Sequence, residues 1–357
     1  MENPLGQRLR DLPGPLLLTG HTGFKGTWMT FLLEHLNVPV VGYSLPAEKD
    51  SLYERSERKG AIPEVFADIR DYEALEKFID LHKPSTIIHM AAQPLVLKSY
   101  ESPLETFEIN VMGTVNVLDI AFKKEFVQAV IVVTTDKVYR NDNSGRAFIE
   151  TDPLEGKDPY SASKVGTEAV VAAWQQIAKV SGGPNVVSVR AGNVIGGGDF
   201  AENRIIPDLI RGVISGNTVV IRNPQSSRPW QHVLDPLMGY LITISKINEK
   251  LENQSVNFGP QGDSLTVAEV VAIGKKIFPE LLVSCPGKEI KSYSNEATHL
   301  SLDSSQAYEK LSWKTMYEQE TAIASTFKWW ACYLGGDIHP EELCQIEIKN
   351  FISQQCL

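Results

Sequence analysis

Tyr160 and Lys164 stand four residues apart in the stretch Asp158-Pro159-Tyr160-Ser161-Ala162-Ser163-Lys164. Asp158 can cap a helix, and Pro159 suits its first position. Tyrosine and lysine then share one helix face, a turn apart. An ammonium beside a phenol favours the phenolate and lowers its pKa from about 10. Such a phenol is a general base for an alcohol whose hydride leaves to a nicotinamide. The same spacing also occurs on solvated helix faces, so its meaning depends on what precedes it.

What precedes it is Gly20-His21-Thr22-Gly23-Phe24-Lys25-Gly26, placed after a short apolar run and before a helical pattern. Glycines there permit a tight turn and let the backbone approach a pyrophosphate, which the helix N-terminus attracts with its free N–H groups. Gly20, Thr22, Gly23, Phe24 and Gly26 are therefore candidate cofactor contacts. The GxxGxxG spacing resembles that of extended short-chain dehydrogenase/reductases. An acid on the ribose hydroxyls would stand about 20 residues on. That region reads Gly42-Tyr43-Ser44, with neither acid nor arginine, so it does not choose between NAD and NADP. Asp68 reads either as an adenine-side acid or as a solvated loop residue.

A β-branched run ends in Thr134-Thr135-Asp136-Lys137-Val138-Tyr139. Ligands bind outside the carboxyl ends of strands in open α/β sheets. Thr135 is placed to hydrogen-bond a substrate hydroxyl and share its proton with Tyr160. Asp136 and Lys137 add two titratable groups. Strand alternation would send them to opposite faces, unless the strand opens into a loop there. Further on, Asn193 in RAGNVIGGGD, Arg204, and Arg228 in RPWQHV lie in Gly- and Pro-rich stretches. Arginine forks match phosphate oxygens, and in an acidic chain such arginines suggest anion recognition, with a surface ion pair the other reading for either one alone.

These groups need a scaffold. Leu16–Leu18, Val38–Val41, Thr86–Ile88, Val130–Val133 and Val186–Val189 read as strands, with helical patterns over Phe24–Leu36, Leu104–Lys123 and Pro159–Val180. Strands alternating with helices predict an α/β fold, a Rossmann-type doubly wound parallel sheet. After Ala191 the rhythm is lost, as expected for a smaller C-terminal α/β substrate-binding lobe. The expected division is 1–190 for the cofactor domain, with 231–258 returning to it, and 191–230 plus 259–357 for the lobe. The tail beyond Gly336 shows no clear pattern.

The 357 residues carry a net charge of −10, with 43% hydrophobic and 22% charged residues. That balance gives no electrostatic footprint for nucleic acid or an anionic membrane. Cys285, Cys332, Cys344 and Cys356 form no CxxC pair and have no metal-ligand spacing, so no metal is expected. The N-terminus lacks an apolar signal region, and no apolar run nears the ~20 residues of a membrane span. The expected location is the cytoplasm.

The segments GHTGFKG, MAAQPLV, TTDKVY, DPYSASK, RAGNVIGGGD and RPWQHVLDP together closely resemble the nucleotide-sugar 4,6-dehydratases, and among them those acting on CDP-glucose. The resemblance runs from about Leu16 to Trp330. It implies NAD as cofactor and a nucleotide-sugar substrate. It puts Asp68 and Ile69 on the adenine side, Ala91, Ala92 and Gln93 beside the nicotinamide half, and Gln93 against the sugar as well. Asn193, Arg204 and Arg228 fall on the phosphate-binding positions, and Tyr160 and Lys164 on the family's pair. The implied reaction turns CDP-D-glucose into CDP-4-dehydro-6-deoxy-D-glucose and water, on the way to 3,6-dideoxyhexoses of surface polysaccharide. The family's usual Thr-Asp-Glu is Thr135-Asp136-Lys137 here. Asp136 is the candidate acid for the departing hydroxyl. Lys137 is either a neutral base for the C5 proton or a cation stabilising the enolate. Burial and Lys164 favour the first role, and Asp136 favours the second. The resemblance also implies a homodimer or homotetramer, built by pairing the helices Leu104–Lys123 and Pro159–Val180 across a two-fold axis. Val170, Val171 and Trp174 are apolar beyond the face a sheet needs. Two other readings remain: an epimerase or dehydratase for another nucleotide sugar, and a non-catalytic dinucleotide sensor. Retention of Tyr160 and Lys164 argues against the sensor.

Overall fold

In the computed structural model the described residues are 3–141, 145–250, 254–285, 300–336 and 338–354. The apolar runs form parallel strands: β1 Leu16–Thr19, β2 Val40–Ser44, β3 Glu64–Phe66, β4 Thr86–His89, β5 Ala129–Thr135, β6 Asn185–Ala191 and β7 Ser255–Phe258. They make one sheet in the order β7-β6-β5-β4-β1-β2-β3. The chain reverses direction across the sheet between β1 and β4, the switch point at which such folds bind ligands. Alternate residues feed two cores. Leu16, Leu18, Ile88, Ile131 and Val187 face one, and Leu17, Ile87, Val130, Val132 and Val186 the other. Burial on both faces explains why these strands read as continuous apolar runs rather than alternating ones.

The helix that follows the glycine loop, α1 Phe24–His35, has Trp28, Met29, Phe31, Leu32 and Leu33 all fully buried. A helix with so many apolar side chains needs cover beyond the sheet side. On the first face of the sheet it packs into the core that also holds Leu16 and Leu18. The tail supplies further cover through the helix Pro340–Ser353, whose Leu343, Cys344, Ile348 and Phe351 are buried in the same core. The tail thus has helical spacing after all. Pro340 takes the first position, which pre-sets its backbone angle.

The expected helix Leu104–Lys123 is present but not uniform. It runs Pro103–Phe107, widens into a π turn over Glu108–Met112, and continues as α3 Gly113–Phe122, after α2 Tyr72–His82. At the widening, the Asn110 carbonyl accepts hydroxyl bonds from Thr114 (2.7 Å) and Thr167 (2.8 Å). Side-chain donors inserted into the helical ladder are a known cause of such bulges. The helix α4 Pro159–Ser181 carries Tyr160 and Lys164.

Beyond β6 lie the helices α5 Ile205–Ser215, α6 Leu234–Lys250, α7 Val267–Ile277 and α8 Gln319–Gly335. Two-residue ladders join them, including Val194–Ile195 with Gln231–His232 and Ser227–Arg228 with Leu265–Thr266. Cys285 and Cys332 are exposed, Cys344 is buried, and Cys356 lies outside the described residues. No described helix is long and apolar enough to cross a membrane.

Candidate active site

The glycine loop follows β1 directly. Gly20 has φ +74°, and a Cβ there would come within 2.8 Å of the Ala91 amide nitrogen. A Cβ on Gly26 would overlap the Gly20 carbonyl oxygen. The loop therefore closes only around glycine at both positions. Gly23 caps α1 with backbone alone, which leaves the helix N-terminus facing outward as an anion cradle. Phe24 is half-buried at its first position. Thr22 is bonded to the Ser44 hydroxyl (2.8 Å) and the Leu45 carbonyl (3.0 Å), fastening the loop to the end of β2. Such a backbone cradle fits a dinucleotide pyrophosphate. We expect Gly26→Ala to weaken NAD binding at least about tenfold and to destabilise the fold by about 1–3 kcal/mol. Thermal unfolding with and without NAD checks both effects.

Across the switch point, Thr19 Oγ1 accepts the Met90 and Ala91 amides, each at 3.1 Å, and so sets the path of Ala91 and Ala92 beside Gly20. Gln93 is buried with its amide committed. It donates to Leu95 O and Thr106 Oγ1, and its own carbonyl accepts Leu95 N at 2.6 Å. Its backbone is tied to Asn110, which reaches Ser163 on α4. Gln93 thus braces its loop against α4. Asp68 is clamped by Arg70, which holds its carboxyl below the usual range. Ile69 packs on Gly113. Tyr43, at the end of β2, turns inward and donates to the Asp68 carbonyl.

The strand β5 ends at Thr135, and Asp136–Val138 forms a 3₁₀ turn. The turn frees Asp136 and Lys137 from strand alternation, as the sequence requires if both face one site. Thr135 Oγ1 accepts the Lys137 amide (3.3 Å) and donates to Asp136 Oδ1 (3.0 Å). Asp136 is buried, and burial raises its pKa against the opposing charges of Lys137 and Arg228. Lys137 is half-buried. A Cβ on Gly192, the residue before Asn193, would come within 2.8 Å of Asp136 Oδ2. Asn193 O accepts the Gln231 amide at 3.1 Å, which joins its loop to the Arg228 segment.

Asp158 caps α4 through Ser161 N (2.9 Å), with Pro159 at the first position, as read from the sequence. Tyr160 is buried, and burial pushes its phenol up to about 12. Thr135 and Arg204 pull it down; Asp136 and Asp158 oppose them. Lys164 shares the helix face with Tyr160, as the spacing predicts, and is buried. Its Nζ donates to the Val133 carbonyl at 3.1 Å, and burial lowers its own pKa to about 8. Arg204, itself paired with Asp199 at 2.8 Å, is a cation that pulls the phenol down. The site thus brings together Thr135, Asp136, Lys137, Tyr160, Arg204 and Arg228.

Sequence reading passed over Lys25. Its Nζ donates to the Tyr240 hydroxyl at 2.9 Å, and its pKa falls to about 7 through burial and the nearby charges of Lys164 and Arg204. A lysine inside a glycine loop was the only available signal. Tyr240 gave none.

A doubly wound sheet, a glycine cradle at the switch point and a tyrosine–lysine helix beside it define an extended short-chain dehydrogenase/reductase fold. The chain belongs to the NAD dependent epimerase/dehydratase family, whose model matches residues 16–259. NAD is its cofactor, and it is an enzyme. It is 36% identical over 336 residues to the CDP-glucose 4,6-dehydratase of Salmonella typhimurium, covering 90% of this chain and 92% of that protein. It is 25% identical to a dTDP-glucose 4,6-dehydratase of Haemophilus influenzae, over 88% of this chain and 97% of that protein. Among solved structures, a Streptomyces venezuelae dTDP-glucose 4,6-dehydratase with NAD bound superposes with a TM-score of 0.74 at 24% identity, covering 92% of this chain and 99% of that one. A Thermotoga maritima UDP-glucose 4-epimerase gives 0.77 at 22%, covering 90% and 99%.

Proposed function

We propose that this enzyme dehydrates CDP-D-glucose to CDP-4-dehydro-6-deoxy-D-glucose, a step that would feed 3,6-dideoxyhexose synthesis for surface polysaccharide. The observation that carries the reading is the Thr135-Asp136-Lys137 turn set against Tyr160, in a chain 36% identical to a CDP-glucose 4,6-dehydratase. Gly20, Thr22, Gly23, Phe24 and Gly26 would hold the NAD pyrophosphate. Asp68 and Ile69 would border its adenine, and Ala91, Ala92, Gln93, Tyr160 and Lys164 its nicotinamide half. When bound, NAD would supply the acceptor for the C4 hydride and the donor that gives it back to C6. Tyr160 takes the C4 hydroxyl proton through Thr135. Asp136, whose burial favours the protonated form, gives a proton to the C6 hydroxyl as it leaves. Lys137 acts on the C5 proton or on the enolate that its loss creates. Asn193, Arg204 and Arg228 would bind the diphosphate, with Arg204 also beside the phenol.

The reaction is redox-neutral, so substrate deuterated at C4 is expected to give product carrying the label at C6. Incubation with CDP-, dTDP-, UDP- and GDP-glucose, each read by the alkaline absorbance of a 4-keto sugar, tests base specificity. Turnover of another nucleotide sugar but not CDP-glucose refutes the CDP assignment, and steady NADH accumulation refutes a dehydratase.

The family resemblance also supports assembly as a homodimer or homotetramer through α3 and α4. Tyr100, Leu104, Phe107 and Met112 leave apolar surface exposed before α3, and Ile177 and Val180 do so on α4. Apolar side chains grouped on adjoining helices mark an interaction surface. Light scattering at micromolar concentration is expected to give at least twice the monomer mass, and a monomeric mass would count against this assembly.

A further inference from the structure

Glu168 lies one turn beyond Lys164 on α4, and Arg190 lies near the end of β6. They are 4% and 3% exposed. Arg190 forks onto the carboxylate, with Nε to Oε1 at 2.8 Å and Nη2 to Oε2 at 2.7 Å. The remaining capacity of the pair reaches outward in a specific way. Glu168 Oε1 accepts the Thr134 hydroxyl (2.5 Å), and Oε2 accepts that of Ser188 (2.9 Å). Arg190 Nη1 donates to the Tyr139 hydroxyl (2.8 Å) and the Glu150 carbonyl (3.0 Å). Thr134 immediately precedes Thr135, and Tyr139 immediately follows the Asp136–Val138 turn. The ion pair therefore grips the Thr135–Val138 stretch at both ends.

Stability alone does not account for such a pair. Desolvation of two charges cancels most of their attraction, and apolar residues of similar volume stabilise a core as well or better. What a fully satisfied buried network adds is a single fixed geometry. We infer that Glu168 and Arg190 form a positioning unit, holding the Thr135–Val138 turn in place and tying it to the helix that carries Tyr160 and Lys164. This rests on the reaction proposed above. Glu168 also acts on Lys164, where its carboxylate opposes the effect of burial. The other ionisable groups facing Lys164 are Lys25 from α1 and His89 from β4. Burial keeps His89 neutral, with its pKa lowered to about 3.

The test uses the full chain in two variants. Glu168→Gln/Arg190→Met removes both charges of the pair together, so neither is left facing a missing partner, and the fold should persist. Thr134→Val cuts one link without touching a charge. Thermal unfolding, NAD binding followed by protein fluorescence across pH, and CDP-glucose turnover across pH are measured on each. Both variants are expected to bind NAD normally at mildly acidic pH and to lose kcat on the order of 10²-fold, with KM little changed. In the double variant the alkaline loss of NAD binding and of rate moves to lower pH, because the carboxylate supporting the Lys164 charge is gone. In Thr134→Val that profile stays put. A folded double variant with wild-type kcat and profile overturns the inference. Should the double variant not fold, Glu168→Asp keeps the charge but shortens its reach, and wild-type kcat there overturns it equally. Wild-type protein inactive on every nucleotide-glucose refutes the reaction instead. The NAD-binding profile needs no sugar, and an unshifted profile in the folded double variant overturns the link from the pair to Lys164.

Discussion

Tyr160→Phe is expected to leave the enzyme folded, able to bind NAD and sugar, and unable to begin the reaction. The ring is buried and stays in place, so the loss is confined to one hydroxyl. That hydroxyl is the group in contact with Thr135 and within the field of Arg204. Without it, no base is positioned for the C4 proton, and a general base contributes typically about 10²–10⁴-fold. Single-turnover mixing with CDP-glucose should show no rise in NADH absorbance on the wild-type time scale. In the wild type, burial holds the phenol up to about 12, so the rate of C4 oxidation should still be climbing with pH above neutrality. NADH formation at the wild-type rate in Tyr160→Phe would remove the phenol from the mechanism.

Lys137→Met separates the two halves of the reaction. The turn backbone stays fixed, because the bond from Thr135 goes to the Lys137 amide and not to its side chain. C4 oxidation should therefore proceed near the wild-type rate, giving NADH in a single turnover. Exchange of the C5 proton with solvent, and with it product formation, should slow by roughly 10²-fold or more. Lys137→Glu then distinguishes the two roles. A carboxylate replaces a base, and exchange survives. It repels an enolate, and exchange is lost. Wild-type exchange and product formation in Lys137→Met would make this lysine a structural residue at a strand end.

What could be read in advance was whatever chemistry is local in the chain. The glycine loop, the Asp158-Pro159 cap and the Tyr160–Lys164 spacing each depend on a few consecutive residues, and their backbones form as their types require. Side-chain destinations were less legible. Helical spacing put Lys164 on the Tyr160 face, but not which way it would turn, and it turns to the Val133 carbonyl. The π turn at Glu108–Met112 depends on Thr167, which comes from another helix. Lys25 and Tyr240 are 215 residues apart, and no window on the sequence contains both. The strand β3 is three half-buried residues at a sheet edge, too short for a pattern. The tail helix was missed although its buried residues are regularly spaced, because its cue lies in α1, where a largely apolar helix calls for a cover.

That cover has a consequence for the order of assembly. Chains emerge from the ribosome N-terminus first, and domains form as they appear. β1, α1, β2 and β4 are made early and can pair while synthesis continues. The helix Pro340–Ser353, which packs on α1, is translated long after them. Until then α1 must do without that partner, although its first turn forms the cofactor cradle. The nascent protein therefore carries a sticky flank until that helix emerges. A chain cut short before Pro340 keeps that flank for good, so truncation there should yield aggregating protein rather than a shorter working enzyme.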